Sequence, residues 1–208
     1  MSSLRGTFPN ETEPMKTTEL AIAHYEIDPG ISRFTVRAFA SGLLSAFGHG
    51  PTFAIREFEG EVQLAADSLE GAGLRLKINA ASLYVQDEIS DKDRREMERM
   101  MNREVLETQR FPEVVYECSS VTGAQTGPGQ YTVKLNGQLT MHGVTRNQPV
   151  DARVNIDGTM LRASGEFTAR QTDYDIKLVS AVAGSLKVKD ELKLAFAIAA
   201  RKQQPKLE

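Results

Sequence analysis

"YTVKLNGQLTMHGVTR", residues 131–146, alternates apolar and polar side chains for more than ten positions and then runs into a histidine and a glycine. Tyr131, Val133, Leu135, Gly137, Leu139 and Met141 share one parity; Thr132, Lys134, Asn136, Gln138 and Thr140 take the other. Successive side chains of a strand point to opposite faces. The stretch therefore predicts a long strand with one dry and one wet face, the mark of an antiparallel sheet. It also poses a choice for His142: chemistry at the end of a strand, or a turn residue on a strand that only builds a wall.

The same period recurs along the chain. Phe34, Val36 and Ala38 oppose Arg33, Thr35 and Arg37; Leu74, Leu76 and Ile78 oppose Arg75, Lys77 and Asn79. Phe53 and Ile55 lead into Phe58, Gly60, Val62 and Leu64, but Ile55 and Phe58 are three apart, so a β-bulge is predicted near Arg56 and Glu57. Further runs carry Val114, Tyr116 and Cys118, then Val150 to Ile156, Leu161 to Ala169, and Leu192 to Ile198. Turn signals separate them: "DPG" at 28–30, "EGAG" at 70–73, "TGPG" at 126–129 and "DG" at 157–158. Together these make about eight strands.

One segment breaks the period. "SDKDRREMERMMNREVL", residues 90–106, is dense in charge and in good helix formers, with Ser90 or Asp91 able to cap it. Met97, Met100, Met101 and Leu106 fall near one face, so one amphipathic helix is predicted between strands three and four. Its methionines either plug a core or line a lid over a ligand mouth, for thioethers adapt to irregular apolar partners. Strands of this length favour closure, because a closed sheet has no exposed edges. The predicted fold is an all-β, eight-stranded antiparallel barrel with this helix inserted. At that size side chains can fill the interior or leave room for one small ligand. Gly60, Gly137 and Gly165 sit mid-strand on the apolar parity, which marks barrel corners or wall volume removed for a guest.

Composition narrows the function. The 208 residues carry a net charge of −3, which gives no basic footprint for nucleic acid. No run approaches the ~18 apolar residues of a membrane span. The single cysteine, Cys118, excludes an intrachain disulfide, and its alternating context makes it a small buried residue instead of a reactive thiol. Residues 1–21 are polar, rich in Pro, Thr and Glu and without an apolar signal core, so they read as a disordered tail and the protein as cytoplasmic. Residues 22–201 form the barrel domain, and 202–208 a C-terminal tail ending in Leu207-Glu208, which resembles an expression remnant.

Several stretches resemble the YceI-like lipid-binding family. In "YEIDPGISRFTVRAF" the residues Tyr25, Ile27, Asp28, Ser32, Phe34 and Val36 match the family's opening strand. "FEGEV" at 58–62 looks like its second strand, and "RFPEVVY" follows a helix as the family's does. "GQLTMHGVTR" is similar to the family's Gly-x-Leu-Thr-x-x-Gly-Val-Thr signature. The resemblance covers roughly residues 22 to 200 and departs at Ile31, where the family often has His, and at Gln171 and Asp175, where Arg and Gly are common. It implies a lipocalin-like barrel whose lumen holds a polyisoprenoid or a fatty-acid-like amphiphile.

His24, His49 and His142 are the only histidines, and no H-x-H or H-E-x-x-H spacing points to a metal. Nor is there a G-x-S-x-G elbow or a phosphate-binding loop. The reading is a non-enzymatic carrier or store for a hydrophobic small molecule, with no cofactor. Its lumen is predicted to be lined by Phe34, Val36, Phe53, Ile55, Leu76, Ile78, Tyr116, Leu139, Val154, Phe167, Leu194 and Phe196. Its mouth is predicted to be bordered by Met97, Met100, Met101, His49 and His142. Two alternatives stand beside it: a lipid-modifying enzyme using a rim histidine, and a ligand-free structural or interaction barrel. A homodimer follows if a long edge or loop face stays apolar.

Overall fold

Fourteen strands, most of them segments of an eight-stranded barrel, appear in a computed structural model that describes residues 22–41, 50–65, 68–181 and 186–204. Residues 1–21, His49 and the last four residues lie outside this set. The segments are β1 (Ile22–Ile27), β2 (Arg33–Arg37), β3 (Ala40–Ser41), β4 (Thr52–Ile55), β5 (Phe58–Ala65), β6 (Ser68–Asn79) and β7 (Leu83–Val85). After the helix α1 (Asp91–Met100) come β8 (Glu113–Gly127), β9 (Gln130–Met141), β10 (Val144–Asp157), β11 (Met160–Arg170), β12 (Ser180–Ala181), β13 (Leu186–Val188) and β14 (Glu191–Lys202). The main sheet runs β1-β5-β6-β8-β9-β10-β11-β14, and β14 returns to β1 through Tyr25↔Lys202 and its neighbours. All pairings are antiparallel, and no edge remains around this ring. β3, β12 and β13 form a separate small sheet.

Three of the barrel strands are broken. "DPG" does not separate two barrel strands; it kinks one. β1 and β2 both pair with β14, the second through Phe34↔Phe196. Asp28 makes the kink: its carboxylate accepts from the Gly30 N–H at 2.9 Å and its carbonyl from the Ser32 N–H at 3.1 Å. β4 and β5 break at Arg56-Glu57, where the bulge was predicted. β6 and β7 break at a 3₁₀ turn, Ala80–Ser82. Ser82 stitches the last two breaks together, its hydroxyl accepting from the Glu57 N–H at 3.1 Å and donating to the Asn79 carbonyl at 2.7 Å.

"EGAG" was expected to be a turn, but β6 runs through it. Gly71 takes φ 68° and the β5–β6 register shifts nearby, between Gln63 and Ala65, so the glycine absorbs an irregularity within a strand. "TGPG" is the β8–β9 turn, and Asp157-Gly158 opens the tight hairpin that pairs Asp157 with Met160. β14 extends to Lys202, one residue into the segment read as a tail.

The dry parity points inward throughout. Leu135, Leu139 and Met141 face the interior while Lys134, Asn136 and Gln138 face water, as the opening stretch required. Outside, cross-strand pairs such as Arg75–Glu117 at 3.1 Å and Lys77–Glu113 at 2.6 Å lie in the open, where each contributes little beyond solubility.

Candidate functional site

The barrel interior is packed at one end and hollow at the other. At the end where β1 begins, Tyr25, Leu161 and Ala200 are buried in the hydrophobic cluster, with Val154 and Ile156 packed against it. Toward the other end a cavity of about 400 Å³ opens, with a wall that is almost wholly apolar. Eleven of the twelve residues predicted to line a lumen do so: Phe34, Val36, Phe53, Ile55, Leu76, Ile78, Tyr116, Leu139, Phe167, Leu194 and Phe196. Val154 does not. Its parity is inward, but it sits too far down the barrel and packs in the closed end.

The three mid-strand glycines have a specific task. A Cβ on Gly60 would lie 2.8 Å from Ile27 Cδ1, one on Gly137 2.4 Å from the Tyr116 hydroxyl, and one on Gly165 2.7 Å from Phe196 Cζ. Ile27, Tyr116 and Phe196 all line the cavity. Each glycine lets a neighbouring side chain lie flat against the wall, an arrangement that keeps bulk out of the hollow. Tyr116 is held there by donating to the Gln148 carbonyl at 3.0 Å, and burial pushes its phenol far above the usual range.

The helix completes the wall. β7 pairs with β4 on one side, and on the other its neighbour is α1 and not a strand. The Val85 N–H donates to Glu98 Oε1 at 3.0 Å, and Arg94 donates to the carbonyls of Val85 and, at 3.0 Å, Asp87. The free edge of β7 is thereby satisfied by helix side chains. Ser90 caps α1, accepting from the Asp93 N–H at 3.1 Å. Past Met100 the helix loosens into one π turn, Met101–Val105. Met97, Met100, Met101, Glu104 and Val105 all reach the cavity.

His142 is a turn residue. It and Gly143 form the two-residue β9–β10 loop with φ of 53° and 77°, the paired left-handed conformation of a tight hairpin. Its Nδ1 lies 3.2 Å from the Tyr174 carbonyl, which can only accept, so Nδ1 carries the proton. The ring packs tilted against Phe111, with centroids 4.3 Å apart, Nε2 stands 3.8 Å from Glu107, and the side chain is 9% exposed. It is not among the residues that line the cavity. Phe111 also covers Gly143, where a Cβ would meet its ring at 2.7 Å. "RFPEVVY" and "MHGVTR", distant in sequence, thus meet at one corner of the barrel. His49 lies outside the described residues, so a joint role with His142 has no geometry behind it.

Cys118 is 5% exposed and donates to the Ser120 carbonyl at 3.2 Å; burial pushes its thiol up. Among the described residues no group of His, Cys, Asp and Glu gathers as a metal site, and no helix is long and apolar enough to cross a membrane. Asp175, where the resemblance led one to expect glycine, takes φ 55°, so that position is indeed left-handed.

Residues 25–200 match the YceI-like domain. The chain belongs to that family. The "UPF0312 protein" of Pseudomonas syringae pv. tomato is 27% identical over 161 residues, spanning 74% of this chain and 77% of the relative. Among solved structures, a polyisoprenoid binding domain from Saccharophagus degradans superposes with a TM-score of 0.64 at 14% identity, covering 89% of this chain and all of that one. BcnA of Burkholderia cenocepacia gives 0.62 at 15% identity, covering 83% and 98%. At such identities the likeness is one of fold.

Sequence reasoning missed three polar residues on the cavity wall, Thr35, which was read as facing water, Glu104 and Gln171. Glu104 was legible, seven residues past Met97 on the same helical stripe. Gln171 was visible only as a departure from the family pattern.

Proposed function

We propose that this YceI-like protein binds one long-chain amphiphile, isoprenoid or fatty-acid-like, and stores or carries it without chemical change. The observation that carries this reading is the 400 Å³ apolar hollow inside a closed barrel. Ligand sites commonly measure ~300–1,000 Å³, and a dry apolar cavity of ~150 Å³ already takes up benzene. The tail would lie among Phe34, Phe53, Leu76, Leu139, Phe167 and Leu194, with the three methionines adapting to its shape. A dozen buried methylenes would contribute ~10 kcal/mol gross, less the costs of association and ordering. The polyisoprenoid-binding neighbour supports the choice of guest. For the rim-histidine enzyme, His142 offers no support, since its Nδ1 is turned to the Tyr174 carbonyl and it is not among the residues lining the hollow.

The test is organic extraction of the purified protein with mass spectrometry, joined to native mass spectrometry with added prenols and fatty acids. A one-to-one adduct that Leu194→Trp removes while the β-sheet circular dichroism persists is the expected result. No adduct with any chain of eight to thirty carbons (about the span such a hollow serves) would refute the proposal.

A further inference from the structure

Among the described residues, the cavity wall carries one carboxylate and no cationic side chain. Among the described residues that line it, Glu104 is the only charged one; no lysine or arginine takes part. Glu104 sits on the π turn, in line with Met97, Met100 and Met101 and on the apolar stripe, while its carboxylate stays exposed to solvent. It forms no ion pair with another described residue. Of the helix cations, Arg94 is committed to the carbonyls of Val85 and Asp87 and Arg99 pairs with Glu96, while Arg103, next to Glu104 in sequence, does not line the cavity.

The other polar groups on the wall are acceptors or already engaged. Gln171 is 5% exposed, and its Nε2 donates to the carbonyls of Lys189 at 2.9 Å and Asp190 at 3.4 Å. Those carbonyls can only accept, which fixes the amide orientation with the NH2 group toward them and gives its oxygen acceptor capacity alone. The Tyr116 hydroxyl spends its proton on a backbone carbonyl. Thr35 is the one remaining polar lining residue among those described, and a hydroxyl is neutral.

We propose that this rim selects a guest whose head donates hydrogen bonds and bears no negative charge, a hydroxyl in the first instance, and that Glu104 rejects carboxylate and phosphate heads. This rests on the carrier reading and narrows it. A carboxylate head beside Glu104 would set two negative charges together with no cation between them, at a rim where water screens only part of the repulsion. An alcohol head would donate to Glu104 or to the Gln171 oxygen and meet no such repulsion.

The experiment uses the full chain and a matched set of guests: a saturated sixteen-carbon alcohol, carboxylate and primary amine (about the length of common membrane acyl chains), each below its aggregation limit. Affinities are measured at pH 7.5 by competition against a fluorescent probe, for the wild type, Glu104→Gln and Glu104→Lys. The alcohol is expected to bind the wild type more tightly than the carboxylate. Glu104→Gln should improve carboxylate binding by about tenfold while leaving the alcohol within about twofold, and Glu104→Lys should improve the carboxylate further and weaken the amine. Comparing substitutions on one guest removes differences in solubility between guests. If Glu104→Gln shifts all three guests alike or none, head-group selection is overturned while the carrier reading stands. If none of the guests binds the wild type, head-group selection among acyl chains is overturned, and the carrier reading falls as well if the prenols and fatty acids of the native mass spectrometry also fail to bind.

Discussion

Replacing Gly137 by alanine tests whether the inward glycines hold the hollow open. The new Cβ would stand 2.4 Å from the Tyr116 hydroxyl and 2.5 Å from its Cζ. Relaxed contacts need ~3.5 Å, so the ring must shift by about 1 Å. That breaks its 3.0 Å hydrogen bond to the Gln148 carbonyl and turns the ring toward the lumen. Overpacking costs ~1–3 kcal/mol, and an orphaned buried hydroxyl–carbonyl pair ~1–3. Alanine returns ~0.5–1 through reduced backbone entropy. The net loss is about 3 kcal/mol, or ~6–12 °C in Tm for a chain of this size. Guest uptake should fall with it. The clash has one main partner, so in a Tyr116→Ala background Gly137→Ala should cost about 2 kcal/mol less. The residue of that cost is the contact with the Glu117 carbonyl at 2.8 Å. Urea unfolding of the four proteins, compared at constant m, measures this coupling. If the two substitutions add to within ~0.5 kcal/mol, the glycine is not there for the tyrosine, and the account of the wall is wrong.

Three further outcomes are expected. His142→Ala should destabilise by about 1–3 kcal/mol through its left-handed φ and lost hydrogen bond, whereas His142→Asn, suited to that conformation, should cost less; equal losses would refute the conformational argument. Asp190 is held below the usual carboxylate range by the Thr172 N–H, the Thr172 hydroxyl and Arg170, and Asp28 by Arg201 and the Gly30 N–H. Because their folded values are depressed, their stabilisation is complete at neutral pH and disappears as pH falls below ~4 through the folded values. The gap in unfolding midpoint between wild type and Asp190→Asn should therefore be larger at pH 7 than at pH 2.5, and a gap that widens in acid would contradict the assignment. Cys118 should resist thiol reagents in the folded protein and react at the rate of unfolding; rapid labelling without loss of structure would show that the thiol is accessible.

The barrel was legible because period-two alternation survives in strand after strand, and a dry face on each leaves few ways to bury it. Parity tells inside from outside but carries no height along the barrel axis. That is why Phe34 and Leu139 reach the hollow while Val154, equally inward, packs in the closed end. Gly71 misled because a left-handed glycine serves a strand irregularity as well as a turn. His142 was identifiable as a turn residue, but its partners, Phe111 and Tyr174, lie some thirty residues away on either side and only the fold unites them. The role of β7 was invisible, since the pattern cannot show that its second neighbour is a helix.

Among the described residues, Tyr25, Leu161 and Ala200 are packed toward one end of the barrel, while the methionines and Glu104 border the hollow. On the proposed carrier reading, a guest entering beside Glu104 would go in tail first and back out the same way, its head the last part to disappear and the first to emerge. One occupant would not be pushed through by the next. Exchange would wait for departure, and a recipient of the cargo would meet its polar tip before anything else.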